Sequence, residues 1–188
     1  MKPPKKIAYE VHDLISKRWS PRSFLNKEIE QEKINSLFES ARWAASAMNE
    51  QPWKFIYATK SNKRKYNDIL NCLIESNIIW ARSAPMLVLT MVSQKFKKNN
   101  KINFWNYHDL GLAIGNLTFQ ASALDLYVHN MAGFSKETAR ETFNIPEELE
   151  PVTIIAIGYL GDPNKLASDL KEKELAEQIR KPFEDLFL

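Results

Sequence analysis

Two arginines four residues apart could bind an anion near the start of the chain. Arg18 and Arg22 lie in the segment Arg18–Lys27, which breaks helical periodicity and contains Pro21, so we predict a loop there. A guanidinium is a planar fork of donors that suits phosphate, and Ser20 could add a hydroxyl. On spacing alone, a surface loop with two solvated arginines remains the alternative interpretation.

A second segment, Ala45–Trp53, offers small and amide side chains where a helix is predicted to end. Its small residues would let a planar ligand approach the backbone, and Asn49 carries both a donor and an acceptor. That combination suits the edge of a heteroaromatic ring with alternating carbonyl and N–H groups. A helix C-cap followed by a turn explains the same residues without a ligand.

The tripeptide Ala132-Gly133-Phe134 is a weaker candidate. Its glycine permits backbone hydrogen bonds to a group lying against it, although an ordinary turn is the alternative. The sequence contains no Gly-x-Gly-x-x-Gly turn, no Walker loop and no Gly-x-Ser-x-Gly elbow. The histidines His12, His108 and His129 are not spaced as metal ligands. We therefore predict no metal site and no catalytic acid, base or nucleophile.

The composition argues against several classes of protein. With 188 residues, 44% hydrophobic and 26% charged, the chain is predicted to be one globular domain spanning residues 1–188. A net charge of +3 is too mild to imply nucleic-acid binding. No apolar run is long enough to cross a membrane, and we predict no signal peptide. The single cysteine, Cys72, is predicted to pack in a helix and fits a reducing cytoplasm.

Apolar periodicity predicts the elements that position these segments. Helices are expected where apolar residues recur at three- and four-residue spacing, and strands where β-branched and aromatic residues alternate or cluster. The predicted helices cover Ile7–Ile15, Ile34–Ala47, Asn62–Leu73, Trp105–Leu126, Ser135–Phe143 and Leu166–Ile179. The predicted strands cover Trp53–Thr59, Met86–Val92, Val128–Met131 and Val152–Leu160.

This order of elements predicts an α+β fold, a sheet with helices packed around it. The long helix Trp105–Leu126 is apolar around much of its circumference, and Gly111 and Gly115 would let another backbone approach closely. A helix buried so thoroughly indicates either a core position or a dimer interface. The apolar tail Pro182–Leu188 is expected to dock on a partner subunit.

Taken together, these segments resemble the nitroreductase family of FMN-binding proteins. The specific part of the resemblance is Ser46-x-x-Asn49-x-Gln51-Pro52-Trp53, preceded by Arg18-x-Ser20-x-Arg22. The segments that follow in the family's order are Asp109-x-x-x-Ala113-x-x-Asn116-Leu117, Ala132-Gly133-Phe134, Gly158-Tyr159 and Arg180-Lys181-Pro182. Four features depart from the family pattern: Ala45 stands where Pro is usual, Trp19 is bulky, the stretch between Val92 and Trp105 is short, and the tail after Pro182 is short.

The resemblance implies a central mixed sheet flanked by helices, an intertwined homodimer and an FMN site. Arg18 and Arg180 would hold the FMN phosphate, with Trp19 and Ser20 along the phosphate and ribityl chain. Arg22 would face N1 and O2 of the ring, where its charge would stabilise the reduced flavin.

The remaining implied contacts are with the ring. The residues that would line the ring and ribityl chain, some of them at the flavin of the partner subunit, are Ser46, Ala47, Met48 and Asn49. Ala132 and Gly133 would give main-chain bonds near N5 and O4. Asn77 is a weaker candidate for the ring edge.

The expected activity is that of an FMN-dependent oxidoreductase working as a homodimer in the cytoplasm. NADH or NADPH would reduce FMN, which would then reduce a nitroaromatic, a quinone or a similar small acceptor in a ping-pong cycle. Because the cofactor would carry the hydride, no side-chain nucleophile is required. One alternative is a specialised flavoenzyme of the same fold, such as a dehydrogenase, a dehalogenase or a flavin-consuming enzyme. Another is a basic binding module that contacts an anionic partner through Lys60–Lys65 and Lys95–Lys101.

Overall fold

A four-stranded sheet in the order β1-β2-β4-β3 forms the centre of the computed structural model, which describes residues 3–188. The strands are β1 Trp53–Thr59, β2 Met86–Ser93, β3 Tyr127–Met131 and β4 Leu149–Gly158. The two inner strands, β2 and β4, are rich in Val, Ile, Leu and Met and are buried over most of their length. Such strands need a layer of helices on each face of the sheet.

Seven helices and three short 3₁₀ turns surround the sheet in residues 3–188. The helices are α1 Asp13–Lys17, α2 Gln31–Arg42, α3 Lys63–Leu70, α4 Glu75–Ala81, α5 Asn106–Ala123, α6 Lys136–Phe143 and α7 Ser168–Leu175. The 3₁₀ turns are Ala47–Asn49, Pro163–Lys165 and Phe183–Leu186. None of these helices is long and apolar enough to span a membrane.

Alternating side chains of β2 divide the interior into two hydrophobic clusters. Val88 and Val92 pack with apolar residues of α2 and α5 on one face of the sheet. Leu87 and Leu89 pack with residues of α3 and α4 on the other face. The predicted α+β arrangement is therefore confirmed as a sheet between two helical layers.

The direction of the strands differs from the expected mixed sheet. All three pairings among the described residues are antiparallel. The chain leaves β1 and enters β2 at the same end of the sheet, because Thr59 pairs with Met86. The helix α5 does return the chain so that β3 runs parallel to β2, but β4 lies between them. Sequence periodicity does not reveal that insertion.

Several element boundaries follow the sequence closely. The β1 bounds are as predicted, and α6 begins after Ser135, whose hydroxyl accepts from the Thr138 N–H at 3.0 Å. The helix α4 was not predicted, since seven residues are too few for a clear apolar period.

The first predicted helix is too long. It begins only at Asp13, because the His12 ring caps it by accepting from the Leu14 N–H. The second predicted helix also ends early, at Arg42, ahead of a turn with left-handed residues.

The helix α5 is buried on one side only. Leu110, Ala113 and Leu117 face the sheet, whereas Leu112 and Phe119 are each 39% exposed. A Cβ added at Gly111 or Gly115 would meet no atom within 4 Å. The single chain therefore buries one face of this helix and leaves an apolar face with two glycines open, and the dimer interface stays a prediction.

A single methyl group added at Gly161 should disturb the loop that follows Arg22. A Cβ there would lie 2.7 Å from backbone N and C of Phe24, and the Gly161 N–H donates to Ser23 O at 2.9 Å. Gly161→Ala should therefore lower the free energy of unfolding by about 2 kcal/mol, the usual cost of overpacking. Chemical denaturation measures this.

The control for the buried Gly161 is Asn164→Ala at an exposed position three residues further on. It adds no clash and should change the unfolding free energy by less than about 0.5 kcal/mol. Equal effects of the two substitutions would contradict the steric argument.

Candidate functional site

A cavity of about 240 Å³ lies between the loop that follows α1 and the end of α7. The loop contributes Arg18, Trp19, Ser20 and Arg22, and the segment after α7 contributes Arg180. Five of the eleven residues predicted to bind a cofactor are thus brought together from distant parts of the sequence. The cavity is small and open, so it matches one end of a ligand rather than a whole one.

Arg18 and Arg180 share this cavity with two carboxylates, Glu174 and Glu177, but form no salt bridge with either of them. Arg18 is half-buried, and both its burial and the nearby charge of Arg180 lower the pKa of the Arg18 guanidinium. Among residues 3–188, no carboxylate lies within 4.0 Å of either guanidinium. Arg18 Nη1 donates only weakly to Ser20 Oγ, at 3.4 Å. Two like charges that face one cavity are stabilised by a bound anion, and guanidinium forks suit phosphate.

Trp19 adds an unsatisfied donor beside this cavity. The side chain is 5% exposed, and its ring packs edge-on against Tyr127 at 6.2 Å. Its indole N–H has no acceptor within the described part of the chain. A buried donor without a partner is uncommon and is typical of sites that complete their bonding with a ligand.

Glu174 ties the loop to α7, and the sequence analysis missed it. This carboxylate is 1% exposed and accepts from the backbone N–H groups of Arg22 at 2.8 Å and Ser23 at 3.3 Å. Burial raises the pKa of Glu174, while the two amide bonds oppose that rise. No motif marks this residue, because its partners lie about 150 positions earlier in the chain. Only its burial identifies it.

The edge strand β3 extends the site away from the cavity. His129 Nδ1 lies 2.8 Å from the carbonyl oxygen of Pro21, and the ring stacks on Trp80 at 4.4 Å. Burial lowers the pKa of His129 to about 4, with a further contribution from the charge of Arg22. The ring is therefore neutral at pH 7, and Nδ1 carries the proton that it donates to Pro21. This bond holds the loop that contains Arg18 and Arg22, the arginine loop, against β3.

Gly133 follows the end of β3 and is held from one side by α4. Its carbonyl accepts from Asn77 Nδ2 at 3.0 Å and from the Ile74 N–H at 3.1 Å. A Cβ at Gly133 would lie 2.6 Å from Ile74 Cδ1, so a side chain there would require Ile74 and Asn77 to shift. The Gly133 N–H has no acceptor among residues 3–188. Asn77 therefore supports Gly133, and the neighbouring Ala132 is exposed.

The segment from Ser46 to Gln51 forms a tight and strained turn. Met48, Asn49 and Gln51 have φ angles of 54°, 56° and 53°, in the left-handed region. This conformation costs an ordinary residue about 1–2 kcal/mol. The Met48 side chain is 86% exposed. Strained backbone that is also exposed is typical of ligand contacts and switches.

This turn lies far from the arginine cavity within one chain. The turn lies at the start of α5, because the Ala47 N–H donates to Asp109. The arginine cavity lies near the other end of α5, because Lys17, the neighbour of Arg18, lines a small cavity together with Ser122. The part of α5 between Asp109 and Ser122 is about 20 Å long at 1.5 Å per residue. The structure does not bring Ser46, Ala47, Met48 and Asn49 to the arginines. One site can include both segments only if two chains contribute.

The structure is thus an α+β protein with an arginine-lined cavity near the edge strand of an antiparallel sheet. The sequence pattern of the Nitroreductase family matches residues 15–159. Because the match covers well over half of the chain, the chain belongs to the nitroreductase family. Glu174 and Arg180 lie beyond the matched range.

Three known proteins illustrate the similarity. The Major NAD(P)H-flavin oxidoreductase of Aliivibrio fischeri is 25% identical over 217 residues, covering 94% of this chain and 96% of that protein. A solved oxidoreductase containing FMN is 30% identical, with a TM-score of 0.90, and the match covers 98% of this chain and 93% of that one. A nitroreductase family protein from Clostridium difficile 630 is 23% identical, with a TM-score of 0.72, covers 93% and 95% of the two chains, and shares the fold.

His129 should make the stability of the protein depend on pH in a defined window. Its folded-state pKa of about 4 lies below the ordinary value of 6.5, so between these values the unfolded state binds a proton that the native state does not. Stability should therefore be full above about pH 6.5 and decline as the pH falls towards 4. At 1.36 kcal/mol per pKa unit, the loss reaches about 3 kcal/mol.

His129→Gln keeps a donor for Pro21 and removes the titration. We expect the unfolding free energy of this variant, measured by denaturation at several pH values, to vary less between pH 4 and 6.5. The contribution of carboxylates to the pH dependence is the same in both proteins, so the difference between the two curves reports His129 alone. An identical slope in the two proteins would show that His129 is not the group responsible.

Proposed function

We propose that the chain is an FMN-dependent oxidoreductase that takes hydride from NADH or NADPH and reduces a nitroaromatic, a quinone or a similar small acceptor. The observation that carries this proposal is the facing pair Arg18 and Arg180, which has no carboxylate partner among residues 3–188. The FMN-containing oxidoreductase and the NAD(P)H-flavin oxidoreductase described above support the cofactor and the reductant.

The phosphate end of FMN fits the arginine cavity. Arg18 and Arg180 would bind the phosphate, and Ser20 and Trp19 would lie along the ribityl chain. The Trp19 indole N–H, buried and without an acceptor, is a donor that this arrangement could use. A phosphate carries about two negative charges at neutral pH, which two guanidiniums offset.

Bound FMN would supply the redox chemistry, accepting hydride in one half-reaction and passing electrons to the acceptor in the next. The protein's part is to bind, orient and place charge. Arg22 would hold a fixed positive charge at the ring edge that becomes negative, because Glu174 and His129 fix the loop on both sides. The unbonded Gly133 N–H and the exposed Ala132 would line the same ring from the end of β3.

A homodimer would complete the site. The open face of α5 carries Gly111, Leu112, Gly115 and Phe119, an apolar stripe where two helices can approach closely. Packing this stripe against a second copy would bring the exposed turn Ser46–Asn49 of one subunit towards the cavity of the other. The tail is already anchored within its own chain, since Phe183 packs on Tyr9 at 4.7 Å. Leu186 and Phe187 remain exposed and available to the partner.

Two further expectations stay predictions. The two hydrophobic clusters share one sheet, which supports a single FMN-binding domain over the described residues. The single cysteine remains the argument for a cytoplasmic location, as in the sequence analysis.

Removing one arginine tests the cofactor. Purified protein should bind FMN and show the visible absorbance of a flavin, which NADH or NADPH bleaches. Arg18→Ala removes a charge-assisted hydrogen bond worth about 1.5–3 kcal/mol, so the Kd for FMN should rise about tenfold or more. The Kd for riboflavin, which lacks the phosphate, should stay nearly the same.

Arg64→Ala, an exposed arginine on α3, is the matched control and should leave the Kd for FMN unchanged. If the unsubstituted protein binds no FMN, the proposed function is wrong. If FMN binds but nitroaromatics and quinones are not reduced during steady-state oxidation of NADH or NADPH, a specialised flavoenzyme of the same fold is favoured.

A bulky residue in the glycine stripe tests the dimer. Gly115→Leu should convert the protein to monomers in sedimentation and weaken FMN binding, because a leucine would hold the two helices apart. Glu141→Leu on the exposed side of α6 places the same side chain on another helix and should leave the dimer intact. A Gly115→Leu variant that sediments as the native dimer would contradict this interface.

A further inference from the structure

Asp109 is a buried carboxylate with no role in the redox chemistry described above. It lies in the first turn of α5 and is 1% exposed. Its neighbours on the buried side of the helix, Leu110 and Ala113, are apolar. Burying a carboxylate is costly unless hydrogen bonds compensate it. The bonds that Asp109 makes therefore indicate why a carboxylate stands there.

One of these bonds reaches the strained turn. Asp109 Oδ2 accepts from the Ala47 N–H at 3.1 Å, and Oδ1 lies 3.3 Å from His108 Nδ1 on the same helix. Ala47 immediately precedes Met48 and Asn49, the first two of the three left-handed residues. Ordinary residues keep such a backbone only where their surroundings fix it. Its bond to the Ala47 N–H thus places Asp109 where it can fix the backbone of this turn relative to α5.

The hydrogen bonds within the turn do not connect it to the rest of the fold. Ser46 Oγ accepts from the Gln51 N–H at 3.0 Å, and Ser46 O accepts from the Asn49 N–H at 3.0 Å. These bonds close the turn on itself. A second link to the rest of the fold runs from the Lys97 N–H to Glu50 Oε1.

These two external links differ in their surroundings. Lys97 lies in an exposed loop, where water competes for its bond to Glu50. Asp109 is shielded from water, and a hydrogen bond in a low dielectric is the stronger restraint. The position and direction of the turn relative to α5 therefore depend mainly on Asp109.

We propose that Asp109 is a positioning residue that holds the Ala47 amide so that Met48 and Asn49 are presented to FMN at the partner subunit. This inference rests on the proposed function. It adds a residue that contacts no cofactor and acts through the backbone of the turn. Because Asp109 is on the helix that carries the glycine stripe, the same helix would set both the dimer contact and the cofactor contact.

Two substitutions of different severity test this role. Asp109→Ala removes the acceptor and should raise the Kd for FMN about tenfold. Asp109→Asn keeps an acceptor oxygen without the charge and should give a smaller rise. Amide hydrogen exchange in the cofactor-free dimer should be faster across residues 46–51 in Asp109→Ala, with partial rescue in Asp109→Asn. Sedimentation checks that both variants remain dimers.

Gln120→Ala is the matched control on the same helix. It removes one hydrogen bond, from Gln120 Nε2 to Ser36 Oγ at 2.9 Å, at the far end of α5. It should lower thermal stability slightly and leave both the Kd for FMN and the exchange of residues 46–51 unchanged. A purely structural role for Asp109 would make Asp109→Ala and Gln120→Ala behave alike.

The outcomes separate this inference from the proposed function. If the wild-type protein binds FMN and Asp109→Ala binds it with the same Kd, the positioning role is wrong and the proposed function stands. Absence of FMN binding in the wild type overturns the proposed function and, with it, the cofactor role of Asp109. If Asp109→Ala does not fold, Asp109→Asn decides: an unchanged Kd and unchanged exchange overturn the inference.

Discussion

The repulsion between Arg18 and Arg180 across one cavity is the constraint on which the rest of the site depends. The two guanidiniums come from distant parts of the sequence, and no carboxylate of the described residues lies within 4.0 Å of them. Two contacts keep Arg18 from moving away from Arg180. Glu174 bonds the loop that contains Arg18 and Arg22 to α7, and His129 bonds the same loop to β3. Two like charges held in this way would be stabilised by an anion, and the proposed function assigns this place to the phosphate of FMN, in keeping with the family to which the chain belongs.

The second constraint is geometric. Most of the residues that the family resemblance assigns to FMN form two groups, and α5 separates them by about 20 Å within one chain. The arginine loop and Gly133 lie along the edge strand β3, while the strained turn lies beside the first turn of α5. In the isolated chain the turn is exposed, and the face of α5 with Gly111 and Gly115 is open. A second copy would cover the apolar face and unite the two groups, so in the proposed dimer one arrangement would serve both dimerisation and cofactor binding.

Local sequence signals predicted the parts of this structure that depend on local chemistry. The alternation in Trp53–Thr59 and the Ser135 cap placed β1 and the start of α6 correctly, because both are set by neighbouring residues. The Arg18 loop was identified because arginine spacing and Pro21 are visible in the sequence. What depends on distant contacts was missed. Glu174 carries no motif, and its role arises only from burial against Arg22 and Ser23. The antiparallel sheet was missed because the insertion of β4 between β2 and β3 is a property of the whole topology.

The most direct test of the account is a crystal structure of the protein with FMN bound. The account predicts one FMN per subunit, with its phosphate between Arg18 and Arg180 of one chain. It also predicts that the ring contacts Met48 or Asn49 of the partner subunit while Gly133 of the first chain donates to the ring. A cofactor phosphate bound elsewhere, or a ring that meets the turn of its own chain, would contradict it.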